Sequence, residues 1–266
     1  MKKILIIGKR GFIGNSLAVY LKKFYNLTHR SYKEAIKIKS RINKFDFIIN
    51  TSISKNYIKN KYNHKFDNDL KITSFINNPK TIYIFLSTRK VYKPQPNIKE
   101  NNKLFPKSNY SKNKLITEQR LKKILGDKLL ILRISNVIGY KSKIKRVHNT
   151  FLDIFFDNVK KGFIVDNKDD FKDFISIDKF CEIIKGVITN NLNGTFNVSI
   201  GRKIYLNELI KWLNKFNKKK LKLKSKSTKS ECFFLNNKKL MSKINIKNSI
   251  TDLKEYCFKI SKKKFA

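Results

Sequence analysis

The chain has 266 residues, 41% of them hydrophobic with 21 Phe and 11 Tyr, and carries a formal charge of +42. That length and apolar content suit one large α/β unit with a smaller cap, and they argue against a disordered chain. Three widely spaced cysteines give neither a disulfide framework nor metal-ligand spacing, which fits a reducing cytoplasm. No apolar run approaches the roughly 20 residues of a membrane helix, so neither a span nor a leader segment is expected.

The first strand is expected over residues 4–7, the apolar run Ile4, Leu5, Ile6 and Ile7. Glycine follows at once: Gly8, Gly11 and Gly14 enclose Arg10, Phe12 and Ile13, and a first helix is expected over 14–25. Glycines so placed serve a tight turn, close approach of backbone to a pyrophosphate, and close helix–strand packing. The helix N-terminus then offers free N–H groups and its positive end to phosphates. Roughly 20 residues on, NAD-binding folds carry an acid for the ribose 2′-hydroxyl. Here the stretch Asn26 to Ser31 has no acid, and Glu34 is the first to follow. A carboxylate would repel a 2′-phosphate, whereas arginine pairs with it in a fork. Arg30, with Arg10 in the glycine loop, therefore points to NADP(H) over NAD(H); the competing reading makes Arg30 a solvated loop residue.

A second strand is expected at 46–50, an amphipathic stretch at 64–77, and a third strand at 81–86 that ends in Ser87 and Thr88. The helix expected at 109–125 opens with Tyr110 and Lys114, four apart and so on one face. A phenol is a poor base at neutral pH, and a nearby ammonium favours its phenolate. A hydroxyl such as Thr88 would complete the group by binding the reacting oxygen. A further strand is expected at 129–134; the chain is less regular after 139, then offers a strand at 195–199 and a helix at 206–217. Apolar runs without strict alternation, separated by helix-period segments, argue a parallel sheet covered on both faces. The fold expected is a Rossmann-type doubly wound α/β sheet with a small C-terminal substrate-binding subdomain. The dinucleotide-binding part comprises 1–139 plus about 172–199, and the subdomain about 140–171 and 200–266.

Lysine supplies nearly all of the charge and is spread along the chain among many Asn, Ile and Phe. An A+T-rich coding sequence produces that mixture, and nucleic acid is expected only through non-specific attraction. The densest cluster, 218–229, reads as a solvated edge strand or a binding tail. His29, His64 and His148 are scattered, and no metal site is expected.

Taken together, these motifs resemble the extended short-chain dehydrogenase/reductases, the NAD-dependent epimerase/dehydratase family, over almost the whole chain. The glycine loop is similar to that family's GxxGxxG, and Phe45 to Asn50 to the strand that leads to its cofactor-contacting loop, here Asn50 and Thr51. Leu86 to Tyr92 resembles the S-S/T-x-x-V-Y strand end, and Tyr110 with Lys114 its YxxxK. Leu132 to Gly139 resembles LRxxNVxGP and contains Asn136; Lys172 to Asp178 resembles RDFIxVxD; Gly194 to Val198 resembles G-x-x-x-N-V. The resemblance implies Thr88, Tyr110 and Lys114 as catalytic residues, and Thr88, Asn136 and Lys172 as substrate contacts. It also implies a cofactor site at Gly8, Arg10, Gly11, Phe12, Ile13, Gly14, Arg30, Asn50, Thr51, Tyr110 and Lys114, and a homodimer through the helices near 64–77 and 109–125.

Departures from the family pattern shape the expectation. Asp69 falls where the family carries an Asn, Ile72 replaces a Gly, Lys172 replaces an Arg, and Tyr140 stands where proline is usual. Family dehydratases and decarboxylases place acids just after the catalytic Ser/Thr, where this chain has Arg89 and Lys90. The activity implied is hydride transfer at a carbon of a nucleotide-activated sugar in cell-surface polysaccharide biosynthesis, leaning to a keto-sugar reductase. The alternatives are an epimerase that retains its cofactor and a non-catalytic NADP-binding regulator on the same fold.

Overall fold

The structure is a computed structural model and describes residues 1–139, 151–166, 170–224 and 232–266. Tyr140, His148 and positions 225–229 of the lysine cluster lie outside the described residues. Its first half alternates strand and helix: β1 (Lys3–Ile7), α1 (Phe12–Leu21), β2 (Asn26–Arg30), α2 (Tyr32–Lys37), β3 (Phe47–Asn50), α3 (Lys55–Lys59), α4 (Asn68–Thr73), β4 (Ile82–Thr88), α5 (Asn109–Leu125) and β5 (Leu129–Ile134). The second half has shorter pieces: β6 (Asn136–Ile138), α6 (Phe151–Asn158), β7 (Phe163–Val165), β8 (Phe171–Lys172), β9 (Phe174–Ser176), α7 (Ile177–Thr189), β10 (Gly194–Val198), β11 (Ile204–Tyr205), α8 (Leu206–Leu213), β12 (Lys222–Lys224), α9 (Lys238–Ile244) and α10 (Ile250–Phe265).

Six strands form one sheet in the order β10-β5-β4-β3-β1-β2, every pair parallel. The sequence predicts this sheet because its strands are apolar on both faces. Along β1, Ile4 and Ile6 enter one core with Leu17 and Leu21 of α1 and Phe180 and Ile184 of α7. Leu5 and Ile7 enter the other, with Ala35 of α2 and Leu121 and Leu125 of α5. A period-two strand thus feeds two helical layers. Each such fully buried side chain contributes about 1.5–3 kcal/mol.

The strand order reverses between β1 and β3, the switch point where open parallel sheets leave a crevice at their carboxyl ends. Register aligns the rim: Ile7 pairs with Arg30 on one side and Asn50 on the other, and Thr88 pairs with Ile134. Three two-stranded pairs, β6–β9, β8–β11 and β7–β12, form apart from the main sheet. Through them Lys172 stands opposite Ile204, and Lys222–Lys224 lies beside β7 as a strand.

Two expectations need correction. Asn26–Arg30, absent from the expected strands, is the edge strand β2. The stretch 64–77 is not one helix: Asn63 caps a short 3-10 turn, Asp67 caps α4 through the Leu70 N–H, and α4 ends at Thr73. Side-chain caps that restart the helix break the expected continuous period. No described helix is long and apolar enough to cross a membrane.

Candidate active site

The loop between β1 and α1 closes on itself, with the Gly11 N–H 2.9 Å from the Gly8 carbonyl. Gly8 has φ +124°, a conformation only glycine adopts without strain. Thr51, just past β3, donates its hydroxyl to the Ile7 carbonyl at 2.8 Å. It packs so closely on the loop that a Cβ on Gly14 would lie 2.4 Å from Thr51 Oγ1 and 2.6 Å from the Gly8 carbonyl. The N-cap of α1 is Gly11, with no side-chain cap and no acid in the first turn. A helix start without its own cap or carboxylate, behind a loop in which Gly8 and Gly14 leave no room for a Cβ, fits a dinucleotide pyrophosphate. Arg30 ends β2 beside this loop, where its carbonyl accepts the Gly8 N–H at 2.8 Å and the Lys9 N–H at 3.2 Å. Its side chain is exposed, as is that of Arg10.

A cleft of about 710 Å3 opens at the strand ends. Phe12, Ile13, Asn50, Thr51, Thr88, Tyr110, Lys114, Asn136 and Lys172 all line it. Arg10, Arg30, Gly8, Gly11 and Gly14 do not. Tyr110 occupies the first turn of α5, a helix started by a capping box in which Ser108 and Ser111 each bond the other's backbone N–H. One turn later Lys114 is buried, its Nζ donating to the Leu86 carbonyl at 2.9 Å and lying 3.8 Å from Asp69 Oδ2. Its ammonium also sits 4.4 Å from the Phe85 ring centroid.

Asp69 is itself buried. It accepts hydrogen bonds from Asn50 Nδ2 at 2.9 Å and from the Tyr83 hydroxyl at 2.7 Å. Burial pushes its carboxyl above the usual range, and Lys114 pulls it back. Asn50 in turn takes the Ser52 N–H and hydroxyl at 2.9 Å and 2.6 Å, which shapes the loop after β3. The side chain of Asn136 donates to the Asp173 carbonyl at 3.1 Å, and Lys172 Nζ is 3.5 Å from Asp166.

Sequence reasoning missed the layer beneath. Ser87 donates to Glu118, and Glu118 takes Arg133 through Nη2 at 2.6 Å and Nε at 3.2 Å. Arg133 also donates to the Tyr92 hydroxyl at 2.9 Å, which donates to Asn197 at 2.9 Å. The network fastens the end of β4, and so Thr88, to α5, β5 and β10. Two features foretell it: Glu118 follows Lys114 by four residues, and Arg133 interrupts an apolar strand run. A cation in a fully buried strand needs a paired partner. Arg89, next to Thr88, also lines the cleft, with only 8% of its surface exposed and its guanidinium 3.6 Å from the Phe233 ring centroid. Among the described residues no group of His, Cys, Asp or Glu could hold a metal ion.

Residues 4–199 match the profile of the NAD dependent epimerase/dehydratase family. The chain belongs to the NAD dependent epimerase/dehydratase family. Solved structures of similar fold include a UDP-N-acetylglucosamine 4-epimerase from Methanobrevibacter ruminantium M1 in complex with UDP-N-acetylmuramic acid, 19% identical, covering 98% of this chain and 97% of that one, with a TM-score of 0.79. RMD from Pseudomonas aeruginosa, complexed with NADPH, is 15% identical over 98% of each chain, with a TM-score of 0.80. A dTDP-4-dehydrorhamnose reductase from Clostridium acetobutylicum ATCC 824 is 18% identical over 96% of this chain and 98% of that one, with a TM-score of 0.76. No curated protein matches the sequence. These likenesses place the chain on the Rossmann-like fold that the family's solved structures share.

Proposed function

We propose that this protein reduces a keto group on a nucleotide-activated sugar with NADPH. The observation that carries the reading is the convergence of Thr88, Tyr110 and Lys114 on the cleft that Phe12 and Ile13, just past the first glycines of the loop, also line. When bound, the nicotinamide supplies the hydride. Tyr110 gives its hydroxyl proton to the sugar oxygen as the carbonyl becomes an alcohol, and Thr88 holds that oxygen by a hydrogen bond. Lys114, anchored by the Leu86 carbonyl and by Asp69, orients the nicotinamide ribose and stabilises the negative charge left on Tyr110. Glycine-loop N–H groups and the start of α1 would hold the cofactor's pyrophosphate, with Asn50 and Thr51 also binding the cofactor, and Arg30 with Arg10 would take a 2′-phosphate. Asn136 and Lys172 hold the substrate.

Arg89 and Lys90 line the cleft directly after Thr88. Cations there cannot serve as the acid and base of a sugar dehydration or decarboxylation, which favours plain redox chemistry. NADPH in the Pseudomonas structural neighbour and the absence of an acid before Glu34 favour NADP(H). An epimerase would use the same three residues, oxidising and then re-reducing the sugar with cofactor retained. The described residues within about 140–171 and 200–266 form the substrate-binding part, two copies pair through 64–77 and 109–125, and the free thiols Cys181, Cys232 and Cys257 suit the cytoplasm. The test is a panel of nucleotide sugars with NADPH, followed by cofactor absorbance and by product analysis. Loss of absorbance with a reduced sugar is expected; an isomerised sugar at constant absorbance would replace the reductase reading with the epimerase, and no turnover of any sugar would overturn both.

A further inference from the structure

Helix α8 ends at its C-cap Asn214, and the chain then turns through a loop that returns to Leu221. Buried Asn214 closes this loop: its Nδ2 donates to the Leu221 carbonyl at 2.7 Å, and its Oδ1 accepts the Leu221 N–H at 3.0 Å. Asn217 Nδ2 donates to the same Oδ1 at 3.2 Å. The loop is also fastened to α10, where the buried Ser261 hydroxyl accepts the Phe216 N–H at 3.0 Å. With both asparagines buried, the loop shows Lys215, Phe216, Lys218, Lys219 and Lys220 to solvent. Beside it on α10, Lys254, Phe258 and Lys262 follow one another a turn apart and share a face. Lys215 and Lys254 each lie 5.7 Å from the Phe258 ring centroid, which joins loop and helix into one surface.

We infer that this loop and the adjoining face of α10 form a docking surface for an anionic lipid bilayer, held by lysine charge and by shallow insertion of Phe216. The surface lies apart from the cleft, whose lining includes none of these residues. Lys218, Lys219 and Lys220 stand beyond the end of α8, so attraction to the negative end of that helix, which fades past the last turn, does not account for them. Two of the three acids on these helices, Glu208 and Asp252, are held in capping boxes at the N-terminal ends of α8 and α10. Phe216 leaves 38% of its surface in water, a cost that burial at the headgroup boundary removes. Residue choice separates lipid from nucleic acid. No arginine follows Arg202, whereas arginine forks are the usual grip on the phosphates and bases of nucleic acid. Lysines clustered around an apolar side chain instead match an acidic lipid surface, where each raises affinity by about fivefold.

The test is sedimentation of the full chain with phosphatidylcholine vesicles, with and without phosphatidylserine, at physiological salt. Emission of Trp212, the single tryptophan, gives a second readout from α8. Binding to the phosphatidylserine vesicles alone is expected, with a blue shift of that emission. The triple substitution Lys218→Gln, Lys219→Gln and Lys220→Gln should weaken it by about a hundredfold. The same loss of charge on the sheet domain, by Lys22→Gln, Lys23→Gln and Lys80→Gln, should change it far less. Phe216→Ser should weaken binding at unchanged charge, and it still reports should the triple variant fail to fold. No retention on phosphatidylserine vesicles, or equal losses in the two triple variants, would overturn the inference. So would release from the vesicles by single-stranded RNA at matched phosphate concentration, which would make nucleic acid the better ligand.

Discussion

Glu118 and Arg133 form a forked, buried ion pair beneath the reacting centre, with Arg133 Nη2 2.6 Å from Glu118 Oε2. Neither side chain is more than 3% exposed. The carboxylate also takes the Ser87 hydroxyl, so the pair sets the height of the strand end that carries Thr88. Its position explains why a charged residue is tolerated in the otherwise apolar strand β5.

Removing one partner strands the other in a medium that solvates it poorly. Glu118→Ala is expected to destabilise the fold by about 3–5 kcal/mol, and Arg133→Met by a comparable amount. The double substitution Glu118→Leu with Arg133→Met should cost less than the sum of the two single changes. Thermal or urea denaturation of the three variants checks this, and strict additivity would show that the pair is not coupled.

Gly14 meets Thr51 and the Gly8 carbonyl so closely that an added methyl must displace backbone. Gly14→Ala is expected to weaken NADPH binding by about tenfold or more and to cost about 1–3 kcal/mol of stability. Fluorescence titration with NADPH, run beside thermal denaturation, separates the two effects.

Arg30 ends the edge strand beside the glycine loop, with its side chain in solvent. The wild type should bind NADPH more tightly than NADH, and Arg30→Asp should narrow or reverse that preference, because a carboxylate repels the 2′-phosphate and accepts the 2′-hydroxyl. Equal affinity of the wild type for both cofactors would remove the assignment.

Asp173, fully buried, accepts the Leu235 N–H at 2.9 Å, and burial pushes its carboxyl up to about 7 from 3.8. The folded state therefore holds a proton that the unfolded state releases between those values. Stability contributed by this group is complete at the acidic end of the window and declines as pH rises towards 7, by about 1.4 kcal/mol per pH unit. Denaturation of the wild type and Asp173→Asn across the window should show a flatter slope in the variant; parallel profiles would mean that Asp173 does not titrate there.

The sheet was legible in the sequence because its inner strands are apolar on both faces: Ile4 to Ile7, Phe47 to Ile49 and Leu129 to Leu132 leave no other home in a chain with helical spacers. Asn26–Arg30 escaped because an edge strand needs burial on neither side, and its residues are half-buried or exposed. That Tyr110, Lys114 and Thr88 would line one cleft was legible from spacing and strand position. Asp69 stood out as a departure from a pattern, but its bonds to Asn50, Tyr83 and Lys114 depend on how α4 crosses β3 and β4, which no local period encodes. The same holds for Arg89: its guanidinium stacks on Phe233, far along the chain, and sequence alone offers no reason to bring the two together.

The convergence of phenol, ammonium and alcohol is tested most directly by measuring turnover and NADPH affinity together in Tyr110→Phe, on the nucleotide sugar that the panel identifies. The account predicts kcat reduced by about 100- to 10,000-fold with NADPH affinity within a small factor of wild type. Near-normal turnover in that variant would contradict it.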